Sequence, residues 1–373
     1  MSPGARSTDR PEPGAPTGPP RSRDVGIDVA RGIAIVAIVL GHVLRGDAAA
    51  GLVRGTDPIF DELDTALYLF HLPVFAIAAG FFVGPSLERS GRAVYVRRRL
   101  LLFGWLYLLW SLLQGAVKLA TATLVNTPTT PGGVVHELVA PQSQLWWFGF
   151  LTTVTLAAAA TVPWRGGWLL PATAAAAVLV SLLRWGDQGT VLFLQGLGLT
   201  GFFWWGTVTG RRGWAAIVRH AVPLAVVGLA VATVLATVTD PMPPTTGAAL
   251  GGTTAVVTGV LASVAATAGV LAGSALVPAG WVQRVLALLG RRSLEIFLAH
   301  IIATAGTRAV LIRLGVTDLA PQLVLGTVAG VTFPLALWWA SERVGARWLF
   351  ALPTARSPRS ADPAEVRAPG RGR

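Results

Sequence analysis

Two ionisable side chains, Arg31 and His42, stand inside an otherwise apolar run near the start of the chain, in the stretch DVARGIAIVAIVLGH that ends at His42. They lie eleven positions apart. At about 100° per residue, that spacing returns to within roughly 20° of the same helical face, some 16 Å further along the axis. Asp28 precedes Arg31 by one turn on that face and can pair with its guanidinium. An imidazole takes up and returns protons near neutrality, so His42 suits a base acting on a hydroxyl. A guanidinium suits the orientation of a phosphate or the polarisation of a carbonyl. Each ionisable group inside a bilayer costs on the order of a few kcal/mol, so a stripe with a chemical purpose is the economical reading. The plainer alternative is a snorkelling Arg near the helix start and a core His with a satisfied hydrogen bond.

Three of the five histidines fall inside apolar runs: His42, His71 and His300. His71 opens the segment His71-Leu72-Pro73-Val74-Phe75, where Pro73 frees a backbone carbonyl and predicts a kink. Ser293 lies seven residues before His300, on the same helical face. No span carries paired His or carboxylate residues at metal-ligand spacing, so no metal is expected. The triplet Arg97-Arg98-Arg99 precedes an apolar run. Read plainly, it sets topology and meets anionic lipid. Read functionally, it clamps the phosphates of a nucleotide-bearing cofactor, although no glycine-rich phosphate loop accompanies it. Trp146 and Trp147 read as part of an interfacial aromatic belt rather than as a sugar platform, as do Trp204, Trp205, Trp338 and Trp339. Glu295 reads first as an ion-pair partner of Arg291 or Arg292, and second as a substrate contact.

The elements that must hold these groups are membrane helices. Of 373 residues, 53% are hydrophobic and only 13% charged, against about 25% charged in soluble domains. Uncharged runs recur at close to the ~20 residues that cross a bilayer. Alternating period-2 strands are lacking, which argues against an outer-membrane barrel. The predicted fold is all-α, a polytopic bundle of ten spans near 25–44, 65–83, 100–124, 145–162, 168–183, 190–209, 221–238, 250–277, 293–312 and 321–341. The membrane domain covers 25–345, between a Pro/Gly/Arg-rich segment 1–24 and a basic tail 346–373, both expected to be disordered. With the N-terminus in the cytoplasm, basic residues favour the inner loops two to one, which predicts that both termini are cytoplasmic. Arg31 then lies toward the inner half of the membrane, and His42 and His71 toward the outer half. The chain has no cysteine, which excludes disulfides, thiolate catalysis and Cys-based metal sites. The net charge of +12 is carried almost entirely by Arg, with no basic helix or aromatic-basic module for nucleic acid. Basic membrane loops and membrane lipids account for it instead.

Several of these residues together resemble the acyltransferase-3 family of integral membrane O-acyltransferases. Asp28-Val-Ala-Arg31-Gly32 followed by Gly41-His42 is similar to the family's first-helix signature, an Arg and a His with ten residues between them. Phe70-His71-Leu72-Pro73-Val74-Phe75 with Gly80-Phe81-Phe82, the Arg97–Arg99 cluster, Leu145-Trp146-Trp147-Phe148, and the run from Gly290 to His300 fall in the matching order, across about 28–340. The Phe-His-x-Pro element looks closest to the fucose 4-O-acetylase-like branch. The resemblance implies transfer of an acyl group, usually acetyl, from cytoplasmic acyl-CoA (acetyl-CoA) to a hydroxyl of a glycan or related small-molecule acceptor in the cell envelope. It implies Arg31 and His42 as the essential pair and Arg97 and Arg99 as the cluster near the cytoplasmic face, in a bacterial-type plasma membrane. Asp28, His71, Glu295 and His300 are the expected supporting or substrate-binding residues. A secondary transporter or a lipid-linked glycan flippase is the alternative that intramembrane ionisable residues also allow. No matching pair of broken helices relating two halves favours that alternative.

Overall fold

The computed structural model describes residues 24–53, 57–121, 129–141, 143–187, 191–245 and 252–353. The helices are α1 (Val25–Ala49), α2 (Pro58–Tyr68), α3 (His71–Phe81), α4 (Val83–Ser90), α5 (Arg92–Ala120), α6 (Pro131–Glu137) and α7 (Trp146–Thr161). They continue with α8 (Leu169–Leu183), α9 (Thr200–Arg219), α10 (Ala221–Val238), α11 (Thr253–Leu276), α12 (Trp281–Arg291), α13 (Ser293–Arg313) and α14 (Leu319–Arg343). Among the described residues, eight helical stretches are long and apolar enough to cross a membrane: α1, Phe60–Ser90, α5, Trp146–Arg165, α10, α11, α13 and α14. The chain is an all-helical, multi-pass membrane protein. The other two expected spans are also helical, as the shorter apolar α8 and as α9, which begins at residue 200 rather than 190 and bends at Gly210 with φ 50°.

The helix that carries Arg31 and His42 sits at the centre. Asp24 caps α1, its side chain accepting from the Gly26 amide at 3.1 Å. Fourteen of the twenty-five residues of α1 are buried, spread around its circumference rather than on one stripe; a helix apolar on all sides belongs inside a bundle. Accordingly α1 packs against α2, α3, α11, α12, α13 and α14. Its approach to α12 is backbone on backbone. A Cβ added at Gly32 would collide with the Leu286 carbonyl, and one at Gly290 with the Asp28 carbonyl. Small residues permit such close crossings where no hydrophobic drive exists between helices. By contrast α14 buries only five residues along its length and forms an outer wall.

The second expected span breaks where Pro73 predicts. Its ring excludes a helical carbonyl four residues earlier, at Leu69, and the chain interrupts at Leu69–Phe70 before α3 starts at His71. The Leu67 carbonyl, left short of its helical partner, accepts instead from the Phe70 amide at 3.3 Å and lies 2.5 Å from His71 Nδ1. The third span starts earlier than 100. Gly91, at φ 78°, separates α4 from α5, and the residues Arg92–Arg99 form the opening turns of α5 because Arg is a good helix former. The chain stays packed on the bundle for several residues past 345. Arg347–Leu349 form a 3-10 turn, whose carbonyls accept from Trp105 Nε1 (Trp348 O, 2.8 Å) and Trp110 Nε1 (Leu349 O, 2.7 Å). Phe350 packs on Trp110 at 5.6 Å. The segments 1–23 and 354–373 of the two expected disordered ends lie outside the described residues.

Candidate active site

Arg31 is held from two helices. Its Nη2 donates to Ser293 Oγ, the first residue of α13, at 2.7 Å. Its Nη1 lies 4.0 Å from Asp28 Oδ1, one turn back on α1. A cavity of about 310 Å³ opens beside it. Arg99 lines the same cavity with Tyr95, over whose ring the Arg99 guanidinium sits at 5.4 Å. The remaining wall is mostly apolar: Ile38, Leu72, Phe75, Leu106, Phe148 and Phe297 among others, with Trp147. On α1 the lining runs from Arg31 to Ile38, and on α5 from Tyr95 through Arg99 to Leu106. From arginine to last aliphatic residue, each is a separation of seven positions, about 10 Å of helix. Both helices therefore present a cation at one end of the cavity and aliphatic surface at the other. Ile38 lies one turn before His42.

Around His42 the surroundings change to imidazole and guanidinium. His42 itself is half-buried, and its ring centroid lies 5.0 Å from that of His300 on α13, tilted by 54°. His300 is wholly buried, with Nδ1 at 3.0 Å from Ile296 O and 2.8 Å from Phe297 O. His71 is also buried and meets the Tyr68 ring edge-on at 4.5 Å. The Arg45 guanidinium covers Tyr68 at 3.8 Å, and its Nε and Nη2 both donate to Asp64 at 2.7 Å. This fork-to-fork pair closes one side of a wide cleft of about 1500 Å³ between α2, α10 and α11. Asp61, Glu62, Thr65, Thr237 and Asp240 line the cleft's polar part, and Leu69, Phe70, Leu229 and Val270 its apolar part.

An arginine pair, an apolar slot and an imidazole cluster in series are the parts an acyl-group transfer needs, and the sequence comparisons point the same way. The family model described as "Acyltransferase domain", that of acyltransferase-3, matches residues 24–339. The chain belongs to the acyltransferase-3 family. Nodulation protein NolL of Mesorhizobium japonicum is similar, at 24% identity over 164 residues, 42% of this chain and 41% of that protein. Nodulation protein NolL of Sinorhizobium fredii is 33% identical over 102 residues, 26% of each chain. The chain thus matches less than half the length of either curated relative. No solved structure matches it.

Within this acyltransferase-3 domain the expected site residues divide into groups. Asp28, Arg31, Arg99 and Ser293 gather at one end of the cavity, and His42, His71 and His300 lie beyond its other end. Arg97 and Arg98 do not join them. Successive residues on a helix point about 100° apart, so only Arg99 of the triplet faces the cavity; Arg97 and Arg98 are exposed, and Arg97 lines a shallow outer groove with Arg92 and Leu101. Glu295 takes the ion-pair role, with Arg292 Nη1 donating to Oε1 at 3.1 Å. Arg292 in turn stacks on Trp338 at 3.6 Å. The interfacial-belt reading fails for Trp146 and Trp147, which are 6% and 7% exposed. Trp147 stacks near Phe150 at 5.0 Å and borders the cavity. α7 is packed on α5, α4 and α9, so its first turn is interior rather than lipid-facing. Sequence reasoning did not find Tyr95, whose position four residues before Arg99 is the signal it offered. It also did not find Gln114, which donates to Leu298 O at 3.0 Å and so ties α5 to the turn of α13 before His300.

Proposed function

We propose that this protein is an O-acyltransferase of a bacterial-type plasma membrane. It takes an acyl group, acetyl in the first instance, from cytoplasmic acyl-CoA and places it on a hydroxyl of a glycan or related acceptor. The observation that carries this reading is the shared cavity of Arg31 and Arg99, which extends along α1 to within one turn of His42. Guanidinium groups bind phosphate in a bidentate, charge-assisted fashion, and the apolar walls beyond suit an acyl thioester arm. In this scheme His42 accepts the proton of the acceptor hydroxyl as its oxygen bonds to the thioester carbonyl carbon. The carbon–sulfur bond then breaks, and the proton passes from His42 to the departing thiolate. Arg31, fixed by Ser293 and Asp28, polarises the carbonyl or orients the arm. The wide cleft bordered by Arg45 and Asp64 supports an acceptor larger than the donor's acyl arm, entering from the His42 end. No metal takes part in the scheme.

The test is purified full-length protein in lipid nanodiscs with radiolabelled acetyl-CoA and a panel of glycans and small hydroxylated metabolites. CoA release that depends on an added acceptor, and that is lost in His42→Ala, supports the reading. Solute counterflow with no CoA release points to a carrier instead.

A further inference from the structure

We infer that His300 is a positioning residue for His42: its Nε2 accepts a hydrogen bond from one nitrogen of the His42 imidazole and so leaves the other nitrogen bare toward the acceptor hydroxyl. The inference rests on the reading of His42 as the base. It begins with a tautomer. Nδ1 of His300 lies within hydrogen-bond distance of two backbone carbonyls, Ile296 O and Phe297 O. Carbonyl oxygens only accept, so Nδ1 carries the proton and Nε2 of the neutral ring is an acceptor. That Nε2 is buried and has no hydrogen-bond partner. A buried acceptor without a donor costs free energy, so a specific orphan in a packed site calls for an explanation. The ring adjacent to it is that of His42, with centroids 5.0 Å apart. At that separation, two imidazole nitrogens turned toward each other come within hydrogen-bond reach.

The rest of α13 makes His300 a fixed reference. It is wholly buried, and Gln114 ties the preceding turn to α5 through Leu298 O. His42 is half-buried and meets the His300 ring directly. A free imidazole exchanges between two tautomers, only one of which offers its lone pair to the acceptor. A rigid acceptor on one side selects that tautomer, the logic by which a base is oriented by a third group. The proton balance is unchanged: the hydroxyl proton goes to His42 and then to the thiolate, while His300 stays neutral and accepts from His42 throughout. α13 then holds both halves of the site, Ser293 fixing Arg31 and His300 fixing His42.

The experiment compares His300→Leu, His300→Gln and His42→Gln with the parent in nanodiscs, by steady-state kinetics, thermal midpoint and nitrogen-15 NMR of labelled histidine. The His42 signal is identified by its loss in His42→Gln. Loss of a partner that orients a metal-bound histidine costs about 10–100-fold; by the same orienting logic His300→Leu is expected to lower kcat by about that order with both KM values little changed. His300→Gln, whose amide oxygen can accept in place of Nε2, recovers most of the loss. The parent shows His42 in one tautomer, and His300→Leu shows a mixture. Unchanged kcat in a folded His300→Leu protein, equal losses in the Leu and Gln variants, or a tautomer mixture in the parent each overturn the inference. The last reading decides the matter even if His300→Leu does not fold. Full activity in His42→Gln instead overturns the underlying assignment of the base.

Discussion

Arg98 and Arg99 are neighbours in sequence with opposite surroundings, and their difference is the sharpest single-residue test of the proposed donor site. Arg99 faces the cavity beside Tyr95, while Arg98 points outward. A hydrogen bond to a charged group contributes about 1.5–3 kcal/mol, so Arg99→Ala is expected to raise the donor KM roughly 10- to 100-fold. Arg98→Ala loses only an exposed charge, worth at most about 1 kcal/mol, and leaves KM nearly unchanged. Titration with acetyl-CoA at saturating acceptor distinguishes the two. At the other end of the cavity, general base catalysis contributes about 10²–10⁴-fold. His42→Ala is therefore expected to lower kcat by that factor while the purified protein stays monodisperse. Normal turnover in that variant removes His42 from the chemistry.

The crossing of α1 and α12 sets the geometry of the Arg31 end. Gly32 and Gly290 bring the two backbones into contact, and no side chain fits between them. Overpacking a tight interface costs about 1–3 kcal/mol or more. Gly290→Val is thus expected to lower the thermal midpoint by several degrees, and to lower activity further because it pushes α12, and Ser293 just beyond it, away from Arg31. A midpoint equal to the parent's shows that the crossing tolerates a side chain. The elements themselves were legible from local pattern: the stripe on α1 followed from an eleven-residue spacing, and the break before His71 from Pro73. What pattern could not supply was which neighbour covers which face. Ser293 meets Arg31 across 262 positions, and nothing local signals that contact. Trp146 and Trp147 stand at a span end, where aromatics usually face the interface, but α7 begins inside the bundle. Likewise the triplet Arg97–Arg99 is a unit in the sequence and three separate directions on a helix.

At the scale of the whole molecule, the chain after α14 is a structural part of the bundle. The turn at Arg347–Leu349 supplies carbonyls to Trp105 and Trp110, and Trp110 is among the most buried side chains. A buried donor left without its acceptor costs about 1–3 kcal/mol. Ending the chain after Ala346 is expected to lower the thermal midpoint clearly, whereas ending it after Pro353 leaves the midpoint in place. Equal midpoints for the two truncations assign the turn no stabilising role. The cavity and the cleft have a joint consequence for the bilayer. The lining of one stops at Ile38 and that of the other at Arg45, two turns apart on α1. Under the proposed function, the six residues between them, with His42 among them, separate the two openings, so an acyl group is handed across with no continuous path for protons. Widening the cavity at that end, by Ile38→Gly, is expected to make sealed vesicles containing the protein leak a pH gradient that the parent protein holds.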